Sequence, residues 1–577
     1  MISPIHDFLI AGVPVVVAGA VWLRIVQNVV PAPYLDEVFH VRQAENYIQG
    51  RWDIWDPKIT TPPGLYLASY IHVNLTQLVI LGRSSILEVL RFINVIGGAC
   101  IAAVVHELLF LTKNQHTGSW NQFELIHVTL NICLFPPLFF FYALYYTDVL
   151  SALSVLFAYQ CCLKKRSSWI CCCAGLLSLL FRQTNIFWVS LFLGGLAFCR
   201  ALPNGDVMSP HAPGFFAMIS LSWHKAASYD PRVSQASFQD YVKCIISYSI
   251  AGLANIPNAL QALTPYLLVL LAFVGFVFWN GGVVLGQWTL LLTYAILQAY
   301  SGDKENHVVS VHFAQMLYLW PYIVFFSIPL LYPYFLNALV PQNLHPSIIP
   351  YIKHTTAQLP RTVIAVPIIA TMLTIVHYNT LIHPFTLADN RHYVFYVFRL
   401  LLRHPSIKYF VIPIYFLCAW ACIAILGDSS TPESQLSDRK REKQAVYNSP
   451  RAPKRQQSAS PELEASEREP RASFLLLWLL ATAASVVTAP LVEPRYFIVP
   501  WLIWRIHVAQ AMTPHYAATK DKEDRSRKRG LQGSSYDHRL WLETAWFLCI
   551  DVTAGYVFLY KGFEWPQEPG KVQRFMW

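Results

Sequence analysis

An all-α, polytopic membrane protein with about 13 transmembrane helices (roughly 12–14) is the fold class that this sequence predicts. Three observations predict it. Only 13% of the 577 residues are charged while 55% are hydrophobic, against about 25% charged in soluble domains. The mean hydropathy is +0.39, so there are too few polar side chains to coat a water-facing surface. The apolar residues also fall into long runs separated by polar stretches, the pattern of a chain that uses lipid as solvent.

The net charge of +10 would suit a nucleic-acid partner. The basic residues, however, cluster between the apolar runs, as in cytosolic loops that face anionic lipid. Membrane lipid is therefore the expected partner, and no nucleic acid is. The 12 cysteines include no CxxC pair that suggests zinc. Cys161, Cys162, Cys171, Cys172 and Cys173 lie in apolar runs and read as small buried hydrophobes.

The first apolar run extends from Phe8 to Val30, with no Lys or Arg before it, and reads as an uncleaved first helix. Further runs follow at 86–112, 123–146, 147–163, 168–181, 184–200, 263–286, 308–332, 362–378, 408–426, 473–490, 494–512 and 539–561. The run 63–81 reads as a surface or re-entrant helix. Orientation follows from three basic segments: Lys164-Lys165-Arg166, the Ser/Pro-rich loop 427–472 with Arg439, Lys440 and Arg441, and the loop 513–538 with Lys520, Lys522 and Arg525. All three are assigned to the cytosol by their charge. The last two are expected to be disordered, since they hold few residues able to bury apolar area. Alternation then puts 31–62, the Asp148 turn, Asp303–His307, the loop 379–407 and the Glu493-Pro494-Arg495 hairpin on the lumenal side.

The chemistry-bearing residues gather in those lumenal segments. The first loop reads Tyr34-Leu35-Asp36-Glu37-Val38-Phe39-His40 and continues through Trp52 and Trp55. An acid just above the bilayer can take a proton from a sugar hydroxyl as that oxygen attacks an anomeric carbon. Adjacent acids after a span also cap helices. Interfacial Trp stacks on sugar faces and equally anchors to headgroups. A second cluster, Asp389-Asn390-Arg391-His392-Tyr393, interleaves charge and aromatic rings. Its guanidinium suits a phosphate, and interfacial anchoring is the alternative. Asp303-Lys304-Glu305-Asn306-His307 is either a third lumenal site or a solvated turn. His307 and His312 lack one-turn spacing, so no metal is proposed. Arg182 in Phe181-Arg182-Gln183-Thr184-Asn185 reads as a substrate contact or a snorkelling residue.

Together these stretches resemble the dolichyl-phosphate-glucose-dependent α-1,2-glucosyltransferases that add the last glucose to the lipid-linked oligosaccharide. The resemblance is carried by Tyr34–His40, Trp55-Asp56-Pro57-Lys58-Ile59-Thr60-Thr61-Pro62-Pro63-Gly64-Leu65-Tyr66, Leu144-Tyr145-Tyr146-Thr147-Asp148-Val149, Phe181–Asn185, His383–Tyr393 and the C-terminal Gln573-Arg574-Phe575-Met576-Trp577. It implies a GT-C fold and an endoplasmic reticulum membrane location with a lumenal active site. It implies dolichyl-phosphate-glucose as donor and a dolichyl-diphosphate oligosaccharide, Glc2Man9GlcNAc2-PP-dolichol, as acceptor, with no cofactor. The expected organisation is a conserved module at 1–286 whose catalytic loop is 31–62, then an atypical apolar insert at 287–302. A second membrane module at 303–426 carries the loop 379–407, and the last helices lie in 473–577. Where the family's Gly-Asp-Lys/Arg pattern is continuous, Gly286 and Asp303 here flank the insert, which reads as a retained intron or a gene-model error.

The reaction implied is a single inverting displacement. Asp36 is the expected base, with Glu37 the catalytic neighbour. Arg391, His392 and Arg495 are expected to hold the donor phosphate. Tyr34, Trp52, Trp55, Asp148, Arg182, Asp303, His307, Asp389 and Tyr393 are the expected substrate contacts. Phosphate already carries the leaving charge, so the reaction does not strictly require a metal. A dolichol-dependent mannosyltransferase and a membrane transporter are the alternatives, the latter disfavoured because the acids lie at span ends on one side.

Overall fold

The computed structural model describes residues 8–77, 85–113, 122–203, 214–283, 311–339, 359–381, 384–427, 470–489, 491–508, 536–566 and 568–577. Asp303, His307 and the insert 287–302 lie outside the described residues, as do most of the loops 427–472 and 513–538. The helices used below are α1 (Val13–Val29), α2 (Glu37–Ile48), α3 (Gly64–Gln77), α4 (Ile86–Lys113), α5 (Gln122–Cys133), α6 (Asp148–Leu163), α7 (Ser168–Leu179) and α8 (Gly194–Ala201). They continue with α9 (Ile256–Asn280), α10 (Ala314–Leu339), α11 (Tyr393–Leu401), α12 (Ile412–Ala424), α13 (Ala472–Val487), α14 (Ile498–His507) and α15 (Arg539–Tyr560). A hairpin of β1 (Phe563–Trp565) and β2 (Glu568–Gln573) ends the chain.

Six helices among the described residues are long and apolar enough to cross a membrane: Ile10–Val29, Ile86–Thr112, Ile256–Asn280, Ala314–Ala338, Ile407–Gly427 and Arg539–Tyr560. A further apolar pair, Phe123–Cys133 and Pro136–Ala143, meets at 62°, the shape of a broken span or of a re-entrant loop. Five shorter apolar helices, α6, α7, α13, Phe187–Ala201 and Thr362–Tyr378, fill the bundle. The protein is thus the expected all-α, multi-pass membrane protein, and among the described residues the helices long enough to cross are fewer than the apolar runs.

The reasons are local. The run 123–146 breaks at Pro136-Pro137, because proline lacks an amide donor and clashes with the preceding turn. The run 494–512 gives a 3-10 turn and then the 10-residue α14, about 15 Å at 1.5 Å per residue and too short to cross. The run 263–286 is entered earlier, at Ile256. The first loop is itself structured. It contains α2, and the described part of the run 63–81 forms α3, Gly64–Gln77.

Helix α4 is the hub, packed against α1, α5 and α6. Close approach needs small residues. A Cβ on Gly98 would lie 2.6–2.9 Å from the Tyr142 ring, which rests on bare backbone there. A Cβ on Gly64 would lie 2.4 Å from the Leu180 carbonyl, which accepts the Gly64 amide at 2.7 Å. That contact ties the first loop to the turn carrying Arg182.

The hub also carries a charge. Arg91, fully buried in α4, donates through Nε and Nη2 to the two oxygens of Glu37 at 2.9 and 2.6 Å. Its other donors reach the Gln27 side chain and the Val30 and Ala32 carbonyls. Glu37, also fully buried, accepts the backbone amides of Tyr34 at 3.0 Å and Tyr145 at 2.6 Å. Leu35 between them adopts a left-handed φ of 53°, a conformation that costs a non-glycine residue roughly 1–2 kcal/mol. The bonds on either side hold it there.

The C-terminal segment is a strap over the same end of the bundle. The Tyr34 hydroxyl donates to the Arg574 carbonyl and accepts its amide, both at 2.7 Å. Arg574 donates to the Phe558 and Leu559 carbonyls that end α15. Trp577 packs on Phe326 and Tyr393, with ring centroids 5.6 and 4.9 Å away.

Glu37→Gln is predicted to destabilise the protein by about 3 kcal/mol or more, because it leaves the buried Arg91 charge uncompensated; a lower unfolding temperature in detergent and reduced accumulation check this. Tyr34→Phe is predicted to free the strap and make the last residues sensitive to limited carboxypeptidase digestion, while the helical content by circular dichroism stays the same.

Candidate active site

The bends described above bring four segments to one end of the bundle: the start of α2, the start of α6, the Phe181–Asn185 turn and the hairpin before α14. Asp36 stands at the N-terminal end of α2, its side chain half exposed. Arg495 approaches it, Nη1 to Oδ2 at 3.5 Å. That is longer than the 2.7–2.9 Å of a tight charge-assisted bond, so the contact is readily exchanged for another anion. Arg495 is anchored from behind by Glu493 through Nε, and its guanidinium lies 5.8 Å from the centre of the Tyr146 ring.

Asp148, the first residue of α6, is buried and paired with Arg182, Nη2 to Oδ1 at 2.8 Å. Arg182 lies 5.8 Å from the centre of the Tyr496 ring, so each of the two arginines of the cluster sits beside a tyrosine ring. His40, one turn along α2 from Asp36, completes the group. Its Nδ1 and the Tyr66 hydroxyl are 2.6 Å apart, and its ring centroid is 6.0 Å from that of Tyr146.

The electrostatics follow from these partners. Burial alone would raise the Glu493 carboxyl, but Arg495, with help from His392 and Arg182, pulls it down to about 2. A carboxylate depressed in this way contributes stability above its unfolded value, and that stability is lost only as pH falls toward 2. Arg495 therefore stays anchored over any ordinary pH range. Burial lowers the His40 imidazole against the opposing pull of Asp36, so the neutral ring is favoured and can accept or pass a proton.

Beside this group lies an aromatic shelf. Trp52 packs between Tyr47 and Tyr70, at centroid distances of 4.8 and 4.9 Å, with 46% of it exposed. Trp55 donates to the Ile59 carbonyl and meets Tyr66 edge-on at 5.8 Å. Aromatic faces at a polar rim are a surface that a sugar ring can stack on. Among the described residues, no group of three or more His, Cys, Asp or Glu could hold a metal ion.

Several expected roles are corrected. Glu37 cannot act as a second acid beside Asp36: its two oxygens already accept four hydrogen bonds and it is sealed from the site. Arg391 is not a free phosphate ligand. It is committed to Asp389 through Nε and Nη2 at 2.8 and 2.6 Å and to Gln573 at 3.1 Å, and it stacks over the Trp565 ring at 4.4 Å. Asp389 is thereby also structural. Tyr34 and Tyr393 hold the C-terminal strap rather than lining the cluster, Tyr393 through its amide to the Met576 carbonyl at 3.2 Å. His392 keeps an outward role, 3.8 Å from Asp389 and close enough to Glu493 to influence it.

Sequence reasoning missed Arg91, His40, Tyr66, Tyr146 and Glu493 as members of the site or its support. Arg91 had a signal, a lone cation inside an apolar run. His40, Tyr66 and Tyr146 stood inside the quoted motifs without an assigned role, and nothing local distinguishes them from interfacial aromatics.

Comparison with known proteins bears on this end of the bundle as a whole. The model of the DIE2/ALG10 family matches residues 30–506, from the first loop through α14. An Aspergillus fumigatus protein named Dol-P-Glc:Glc(2)Man(9)GlcNAc(2)-PP-Dol alpha-1,2-glucosyltransferase is 44% identical, covering 96% of each chain. Proteins of the same name from Emericella nidulans and Yarrowia lipolytica are 41% and 28% identical, covering 96% of each chain and 99% of each chain respectively. A crystal structure of an Archaeoglobus fulgidus oligosaccharyltransferase covers 93% of this chain and 64% of its own at 14% identity, but its TM-score of 0.21 is too low to carry a fold argument. Since the family match contains every segment that builds the Asp36–Arg495 cluster, and relatives align along nearly the whole length, the chain belongs to the DIE2/ALG10 family.

Proposed function

We propose that the protein transfers glucose from dolichyl-phosphate-glucose, in α-1,2 linkage, onto Glc2Man9GlcNAc2-PP-dolichol, with the Asp36 cluster as its active site at the lumenal face of the endoplasmic reticulum membrane. The family and the names of its relatives support the substrates and the linkage. The single observation that supports the site is a half-exposed Asp36 carboxylate 3.5 Å from an anchored Arg495. A base and an anion-binding group then stand side by side at one membrane edge.

The donor phosphate takes Arg495 from Asp36, since a guanidinium forms a fork with phosphate oxygens. Asp36, released, accepts the proton of the acceptor's 2-hydroxyl. That oxygen forms a bond to the anomeric carbon as the bond from this carbon to the phosphate oxygen breaks. The displaced dolichyl phosphate keeps the electron pair and rests on Arg495, with His392 at the outer edge. Attack from the face opposite the phosphate converts a β-linked donor into an α-linked product. The Asp148–Arg182 pair fixes Tyr496 and the turn beneath the cluster. Trp52 and Trp55 supply the surface on which the glucose residues of the acceptor stack.

Asp36→Asn is predicted to lower glucosyl transfer in a microsomal assay by 10²–10⁴-fold or more, the range for loss of a general base, while accumulation matches the wild type; unimpaired transfer would remove Asp36 from the mechanism. Arg495→Lys is predicted to keep a charge but lose the fork, lowering kcat by about tenfold or more. Purified protein given dolichyl-phosphate-glucose or dolichyl-phosphate-mannose is predicted to use only the former, and use of the mannosyl donor would favour the mannosyltransferase reading.

A further inference from the structure

Four helix ends meet at the opposite end of the bundle from Asp36. Helix α6 carries Asp148 at its first residue and ends at Leu163. Its 16 residues span about 24 Å at 1.5 Å per residue. The Lys164-Lys165-Arg166 turn follows, then the start of α7. Helix α8 ends beside it with Arg200 in its last turn, and α9 starts beside it at Ile256. These ends enclose a cavity of about 490 Å³ whose lining includes Lys165, Arg166, Arg200, Asn258, Gln261 and Tyr266.

The charged side chains that line this cavity are all of one sign. Lys164, in the same turn, is paired with Glu107. Lys165, Arg166 and Arg200 are exposed, their side chains have no ion-pair or hydrogen-bond partner among the described residues, and no Asp or Glu lines the cavity. Three cations converging without an acid leave a positive field at a membrane edge, where anionic headgroups are the abundant counter-charge. Asn258, Gln261 and the Tyr266 ring add hydrogen-bonding groups of the kind that fix a headgroup's orientation. The body of α9 beyond them is apolar and largely uncovered, which suits acyl chains.

We propose that this cavity binds the phosphate-bearing headgroup of an anionic phospholipid from the leaflet opposite the active site. The lipid ties the ends of α6, α7, α8 and α9 together by bridging their cations. The site is distinct from the donor and acceptor site, because α6 holds the two apart.

The test uses the purified full chain in detergent and a short-chain phosphatidylinositol, with short-chain phosphatidylcholine and inorganic phosphate as separate arms. The combined variant Lys165→Ala, Arg166→Ala, Arg200→Ala removes the three cations, and Lys165→Arg, Arg166→Lys, Arg200→Lys preserves them. Wild-type protein should bind phosphatidylinositol about a hundredfold more tightly than the alanine variant, from roughly three surface charges each acting on one anion. Binding should weaken as salt rises, and the charge-preserving variant should keep it. Glucosyl transfer by the alanine variant within about twofold of wild type verifies that it folds. Equal phosphatidylinositol binding by wild type and the alanine variant would overturn the site. Phosphatidylcholine binding as well as phosphatidylinositol would overturn the anionic specificity. Inorganic phosphate matching the lipid in affinity would overturn the lipid as the source of the phosphate.

Discussion

The buried ion pair between Glu37 and Arg91 is the constraint on which the rest of the arrangement depends. A charge inside an apolar bundle is tolerated only when paired and fully hydrogen-bonded. Here Arg91 uses all its donors and Glu37 all its acceptor positions. Because Glu37 also accepts the amides of Tyr34 and Tyr145, one carboxylate fixes two chain segments that are far apart in sequence. Two residues beyond Tyr34 is Asp36, and three residues beyond Tyr145 is Asp148. Adjacent acids thus have opposite fates. One is sealed in to set the backbone, and its neighbour is left half open.

The cluster around Asp36 is built on the same economy of charge. Arg495 and Arg182 each have a carboxylate of their own, Glu493 and Asp148, which fixes their position. Asp36 then meets Arg495 only loosely. A site poised to receive a phosphate needs a cation that is positioned but not saturated, and Arg495 meets that description where Arg391 does not. Arg391 spends its donors on Asp389 and Gln573 and so binds the C-terminal hairpin to the 389–393 loop. With Tyr34 holding Arg574, the last residues of the chain close over the loops from which His392 projects.

Much of this was legible in the sequence, and the failures have physical reasons. The membrane class followed from composition, and Asp36, Asp148, Arg182 and Arg495 were each singled out from their places at span ends. The structure brings these four together. Period and hydropathy report the apolarity of a run but not its length as a helix. The run 123–146 was therefore read as one span although Pro136-Pro137 bends it, and α14 proves too short to cross. Pairing between distant segments is also invisible from spacing. Nothing in the sequence distinguishes Arg391, saturated by Asp389 two residues away, from Arg495, which has an acid two residues away as well. The difference is that Asp36 comes within reach of only the second. Glu37 looked equivalent to Asp36 because its partner, Arg91, is supplied by a different helix.

The central claim is that Asp36 and Arg495 exchange partners when the donor arrives. A structure of the protein with dolichyl-phosphate-glucose bound tests this most directly. The account predicts a phosphate oxygen within hydrogen-bond distance of the Arg495 guanidinium, about 2.7–2.9 Å, the Asp36–Arg495 contact opened, and the Asp36 carboxylate facing the acceptor side of the anomeric carbon. A donor phosphate seated on other cations, with the Asp36–Arg495 contact unchanged and its carboxylate directed away from the sugar, would contradict it.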